Sequence, residues 1–368
     1  MQTIFYLSFT TISIISIIFI ILKNAKSESY YNDILIFPVI YCFFFTIILA
    51  YNKEIFSDSL DYANYFSKLV NWSFVQAYND PYSIGYMPGF KILSWILAHT
   101  VSNVHFYFSF ISGLIFIMVA VGCVRTLGLA YGSIAIISYT MYPYFSSYTA
   151  LGIRQGLALG AMLIFFSYII EKKKTHSLIW LFIAVMFHNT AIVLLALYIP
   201  IFLHINQNKL SKIVGLAWLF TLILSFANVF EKLIAGYVNV YTLDVRYQLY
   251  FNQSADYVVG FRPDFVLFSL FPYLLYRLSN KKMRGDDQVK TLLVSFYTLN
   301  CLMNIFSFMP YYDRFAAYSW FLIPIFIALL AKKGNSRNIF NTLLMILLPA
   351  SNILLFIIYN SKWYFGTP

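Results

Sequence analysis

The chain has 368 residues, 61% of them hydrophobic and only 11% charged, with a net charge of +11. Soluble domains carry about 25% charged residues, so a soluble core could not hide this much apolar surface, and lipid must be the solvent for much of it. The positive excess would suit nucleic acid in a soluble protein, but retention of basic residues in short cytoplasmic loops explains it here, and no nucleic-acid partner is expected.

A spanning helix needs about 20 mainly apolar residues. The first such run, Thr3–Leu22, is followed by Lys23 and Lys26 and has no basic residue before it. That is the reverse of a cleavable signal peptide, so it reads as a retained span, and a second run lies near 34–51. Residues 52–104 then form a large outer loop with Asp58, Asp61, Asp80 and many tyrosines. Within it, Pro88–Asn103 is laid in the outer interface as an amphipathic helix, because a crossing there would invert the sign of every later loop. Apolar runs follow near 105–124, 129–145 and 152–170, and Lys172-Lys173-Lys174 marks the cytoplasmic side. The next run, 177–204, lies between that cluster and Lys209/Lys212. Both flanks should be cytoplasmic, yet about 28 residues are too many for one straight span. A broken-helix hairpin turning near Phe187-His188-Asn189 satisfies both facts, and such breaks are tolerated where they are buried or line a watery cavity.

A span near 213–231 leads to the second outer loop, 232–262, with Asp244, Arg246, Asp256 and Arg262. Spans near 263–279, 291–309, 315–331 and 339–358 complete the chain. Their basic loops hold Lys281, Lys282 and Arg284, then Lys332, Lys333 and Arg337. The expectation is one integral membrane domain over 1–368. It is an all-α, polytopic bundle of about 12 crossings with both termini outside. The whole excess of +11 then falls on the cytoplasmic side. Cys42, Cys123 and Cys301 lie inside apolar runs and read as core residues, with no disulfide and no metal.

Charged groups at membrane depth are costly and by default suggest function. In this topology several lie at outer helix ends. Arg154 opens the helix Ile153-Arg154-Gln155, where a cation faces the positive end of the helix dipole. That makes sense if an anion shares the site; the plainer reading is an interface anchor. His188 sits at the proposed hairpin turn, and Asp313-Arg314 in the short outer turn Pro310–Phe315, which could be a plain surface turn. Asp58 and Asp61 share a helical face beside Tyr62 and Tyr65. Carboxylates accept from sugar hydroxyls and rings stack on sugar faces, although spacing alone fits a solvated acidic loop equally well. The chain lacks a phosphate-cradling Gly-rich loop, metal-ligand His/Cys spacing and a Gly-x-Ser-x-Gly elbow.

The chain resembles the Wzy-type polysaccharide polymerases, in the branch called the EpsG-like family. Four pieces carry the likeness: Asp61-Tyr62-Ala63-Asn64-Tyr65, Ile153-Arg154-Gln155-Gly156-Leu157-Ala158, Ala184-Val185-Met186-Phe187-His188-Asn189-Thr190-Ala191, and Asp313-Arg314-Phe315. The family often shows a Glu before a Pro-Gly-Phe-like turn, where this chain has Gly85-Tyr86-Met87-Pro88-Gly89-Phe90. The resemblance implies a glycosyltransferase of the bacterial inner membrane, without cofactor, whose active site faces the periplasm. Its substrates would be oligosaccharide repeat units on undecaprenyl pyrophosphate, and a flippase and a chain-length regulator of the same pathway would be its partners. The growing O-antigen or capsule-like glycan would leave its lipid pyrophosphate for a hydroxyl of the incoming unit. Arg154 and Arg314, with Arg246 as a third, would stabilise the departing pyrophosphate. Asp61 or His188 would serve as general base. Asp58, Tyr62, Tyr65, Gln155 and Asp313 would contact substrate. A flippase of the same lipid-linked sugar and an O-antigen ligase are the alternatives.

Overall fold

A computed structural model describes residues 28–80, 83, 85–101, 103–140, 142–202, 207–235 and 259–333. The expected spans near 3–22 and 339–358, most of the 232–262 loop and Arg246 lie outside these residues. The regular structure among the described residues is helical throughout. Lipid dictates this, since a backbone without water must satisfy its polar groups within the segment. Four stretches are long and apolar enough to cross a bilayer: Val104–Thr140, Ile153–Ile170, Gln207–Phe226 and Asp313–Lys333. Ile36–Asn52, Lys174–Phe187 and Asn189–Phe202 are shorter apolar helices. The chain folds into two compact units, residues 1–191 with 327–368, and residues 192–326.

The first unit opens with α1 (Glu28–Asn52). Three shorter helices follow: α2 (Asp58–Leu69), α3 (Phe74–Tyr78) and α4 (Pro88–Thr100). Next come α5 (Val104–Thr140), α6 (Pro143–Ala150), α7 (Ile153–Ile170) and α8 (Lys174–Phe187). The helix expected near Pro88–Asn103 is present as α4. Its 13 residues span about 20 Å at 1.5 Å per residue, short of a crossing. The two runs expected at 105–124 and 129–145 are two helices within α5 that meet at Gly128, whose non-helical φ +74° and ψ 172° glycine adopts without steric cost.

Helix α7 is the centre of this unit, with 83% of its span buried. Close approach explains why. A Cβ on Gly156 would fall 2.4 Å from the Tyr148 carbonyl oxygen and 2.7 Å from Ile115 Cδ1, and one on Gly160 would lie 3.0 Å from Met118 Cβ. Glycines four apart therefore form a smooth strip on which α5 and α6 rest, the packing that replaces hydrophobic driving force inside a membrane. The 18 residues of α7 cover about 27 Å, close to the thickness of a hydrocarbon layer. One end is basic and acidic. There Arg125 meets Glu171 at 3.2 Å and Ser167 Oγ at 3.0 Å, and Lys173 meets Glu171 at 2.8 Å. The other end holds Arg154.

The second unit contains α9 (Tyr198–Phe202), α10 (Gln207–Phe226), α11 (Pro263–Leu278), α12 (Lys281–Gly285), α13 (Asp287–Ile305) and α14 (Asp313–Trp320). Helix α15 (Ile323–Lys333) continues into the first unit. Helix α10 buries only the stripe Leu210, Val214, Trp218 and Ser225, while Leu216, Phe220, Ile223 and Phe226 are exposed. Its apolar perimeter is the composition of a helix with lipid on most sides. Asn300 in α13 organises the interior. Its Oδ1 accepts from Trp218 Nε1 at 2.6 Å, and its Nδ2 donates to Ser269 Oγ and Ser319 Oγ, each at 3.0 Å. One amide thus joins α10, α11, α13 and α14. Ser225 and Ser307 hydroxyls pair at 2.7 Å.

Candidate functional site

The first unit gathers its candidate residues at one end, and the reason is local. Leu151-Gly152 ends α6 and begins α7, which puts Arg154 in the first turn of the central helix of this unit. The side chain is partly buried and held from two directions. Its Nε donates to Tyr62 Oη at 3.1 Å, and Nη1 donates to the Gly85 carbonyl at 2.8 Å. The guanidinium lies 4.4 Å from the Tyr86 ring centre and 5.6 Å from that of Tyr62. These oxygens are neutral and the rings offer only quadrupoles, so none of these four contacts cancels the charge. They fix its direction.

Tyr62 and Tyr65 come from the inner face of α2, where Ser59, Ala63, Phe66 and Leu69 are also buried. The two rings are 3% and 4% exposed. They close an aromatic cluster with Tyr86 and Phe90, at centroid separations of 5.0–5.8 Å. Burial pushes the Tyr65 phenol up to about 12, so it remains a protonated donor. Asp58 and Asp61 lie on the opposite, exposed face of α2. One helix therefore supports Arg154 from one side and offers carboxylates on the other. Gln155 is buried in α7.

His188 lies at the same end, because α8 packs antiparallel to α7 from the short Glu171–Lys173 turn. Helix α8 stops at His188, whose backbone is extended at φ −150° and ψ 125°, and a 3-10 segment, Asn189–Leu197, follows. The helix thus breaks where the flanking charges placed a turn. The imidazole is buried, with Nδ1 at 2.7 Å from Thr190 Oγ1 and the Thr190 backbone N–H donating to the same nitrogen at 3.4 Å. A backbone N–H can only donate, which makes Nδ1 an acceptor and puts the neutral ring's proton on Nε2.

The segment Gly85–Phe90 joins these two residues. Its first carbonyl holds Arg154, and Gly89 presses on α8: a Cβ there would sit 2.7 Å from the Met186 carbonyl oxygen, two residues from His188. Pro88 starts α4 at its first turn, where its missing N–H costs nothing. The Pro-Gly pair is therefore the tie between the Arg154 and His188 arms.

Lys53 escaped sequence reasoning. It is 2% exposed; its Nζ donates to the Ala150 carbonyl at the end of α6 and lies 3.6 Å from the Phe108 ring centre. Burial lowers its ammonium pKa from 10.5 to about 7. Its signal in the sequence was a lysine two residues after the apolar run 34–51.

Arg314 belongs to the second unit, in the first turn of α14 with Asp313. Its guanidinium lies 4.9 Å from the Tyr311 ring centre. Tyr311 takes φ +60°, a left-handed conformation costly for a bulky side chain. Among the described residues no cluster of His, Cys, Asp or Glu could hold a metal ion.

An apolar helical protein with four stretches long and apolar enough to cross a bilayer is a membrane protein. The chain belongs to the EpsG family, whose model matches residues 35–366, nearly its full length; this is a family of Wzy-like polymerases. Neither a curated protein nor a solved structure matches the chain.

Proposed function

We propose that the protein is a polysaccharide polymerase. It transfers a growing glycan from undecaprenyl pyrophosphate to a hydroxyl of an incoming lipid-linked repeat unit, on the periplasmic face of a bacterial inner membrane. The observation that carries this reading is Arg154: a guanidinium at a helix N-terminus, fixed by neutral oxygens and aromatic faces. As the anomeric C–O bond breaks, its electron pair goes to the pyrophosphate oxygen. A preorganised cation aimed at that charge lowers the barrier without reorganising, and the planar fork of arginine suits phosphate oxygens. Arg154 enters as the group that holds the leaving pyrophosphate.

The remaining roles follow from chemistry. With Nδ1 accepting from Thr190, His188 acts through a protonated Nε2 as a donor to phosphate or sugar oxygen. The acceptor hydroxyl must still lose a proton, and the exposed Asp61 on α2 is assigned that base role, with Asp58 as a sugar contact. Tyr62 and Tyr65 act by supporting Arg154 and closing the cluster behind it, and Gln155 by packing beside it. Arg314, on its Tyr311 platform, is a second cation to be tested on its own. Membrane lipid is the medium that holds both substrates.

The reading is tested in cells that depend on this chain for surface polysaccharide. Arg154→Ala should leave the protein in the membrane while glycan gels show single repeat units and no ladder. A normal ladder would remove Arg154 from the reaction. Loss of single units from the outer face would instead point to a flippase.

A further inference from the structure

Helix α4 carries a second apolar face that the site does not use. Ile92, Trp95, Ile96 and His99 recur at helical spacing on the side away from Phe90, Ser94 and Leu97; Ile92 and Ile96 are exposed and Trp95 is half-buried. Beside it, α3 exposes Phe74, Val75 and Tyr78, with Val75 at 67%. The two helices form one surface. The Phe74 and Trp95 rings meet edge-on at 5.6 Å, Trp95 Nε1 donates to the Trp72 carbonyl at 3.0 Å, and Lys91 Nζ donates to the Tyr78 carbonyl at 2.7 Å.

Water is a poor neighbour for so continuous an apolar patch. Tryptophan and tyrosine among aliphatic residues are the side chains that settle at a bilayer's headgroup level. The patch also runs on into a surface that lipid covers. Helix α4 ends three residues before α5, a membrane span whose exposed stripe begins with Phe106 and continues through Phe110, Ile117 and Val121. We propose that α3 and α4 form a monolayer anchor seated in the phospholipid headgroup layer of the membrane that the spans cross. Three residues before the start of α4, the Gly85 carbonyl holds Arg154. The seat therefore fixes the depth of Arg154 relative to the lipid phosphates. This inference is independent of the polymerase reading, and its test needs no glycan.

The test uses the full chain in nanodiscs of phosphatidylethanolamine and phosphatidylglycerol, with Cys42, Cys123 and Cys301 replaced by alanine. Spin labels are placed through Val75→Cys and Ile96→Cys, with Asn64→Cys, on the exposed face of α2, as the water reference. All three positions are exposed, so folding is spared. Labels at Val75 and Ile96 should collide with oxygen, be shielded from a nickel chelate, and show an oxygen-to-nickel ratio several-fold above the reference. Nickel access equal to that at Asn64 would overturn the anchor. So would exclusion of both reagents, which would mean that protein covers the patch. Shielding by added free oligosaccharide without an oxygen preference would also overturn it, in favour of a glycan surface.

Discussion

Arg154 owes its aim to Tyr62 and Gly85, and each contact can be removed separately. Arg154→Ala should lower polymerisation by at least about 100-fold, the scale of a lost transition-state charge contact. Arg154→Lys should recover little, because a point charge cannot reproduce the fork. Tyr62→Phe deletes only the hydroxyl at Nε and should cost roughly tenfold with the fold intact; an unchanged rate in purified protein would show that the phenol does not aim the arginine. Lys53 gives a prediction in pH. Its folded pKa of about 7 lies below its ordinary 10.5, so the unfolded chain binds more protons between these values and stability rises with pH across that window. The thermal midpoint of the detergent-solubilised protein should climb from pH 7 to 9, and the climb should shrink in Lys53→Met. Equal slopes would contradict the buried-ammonium account. Arg154 and His188 could be singled out in the sequence because charge is rare in apolar runs. The inward side of Tyr62 could not, because the exposed carboxylates and buried rings of α2 alternate on one short helix, and only its packing shows which face is which.

The elements follow the same division. Helix positions were readable from apolar length, and the break at His188 from the basic clusters on either side of 177–204. The separation at Gly128 was readable too, because the apolar runs 105–124 and 129–145 lie on either side of that glycine. The sidedness claim has its own test: Thr175→Cys and Gln207→Cys should react only with reagent admitted to the cytoplasm, and labelling of either from outside would refute the placement of both flanks. Packing of the elements depends on small and polar residues that periodicity does not expose. Replacing Gly156 by leucine should prevent α6 from resting on α7, because even a Cβ meets the Tyr148 carbonyl. Asn300→Leu strips partners from Trp218, Ser269 and Ser319 and should cost about 1–3 kcal/mol, read as a lower midpoint of thermal aggregation in detergent.

At the scale of the molecule, composition placed the chain in lipid, and the family it resembles is the one whose model matches residues 35–366. Loop charge could orient the spans but could not group the helices into two units, because that grouping rests on interior contacts such as the Asn300 amide. The central claim is that this chain alone, using the energy of the lipid pyrophosphate linkage, elongates glycan. Purified protein in proteoliposomes should therefore be given undecaprenyl-pyrophosphate-linked repeat units, with no ATP and no other protein. The account predicts a ladder of longer lipid-linked glycans with release of undecaprenyl pyrophosphate, lost in Arg154→Ala. Repeat units that stay single in the presence of folded wild-type protein would contradict it.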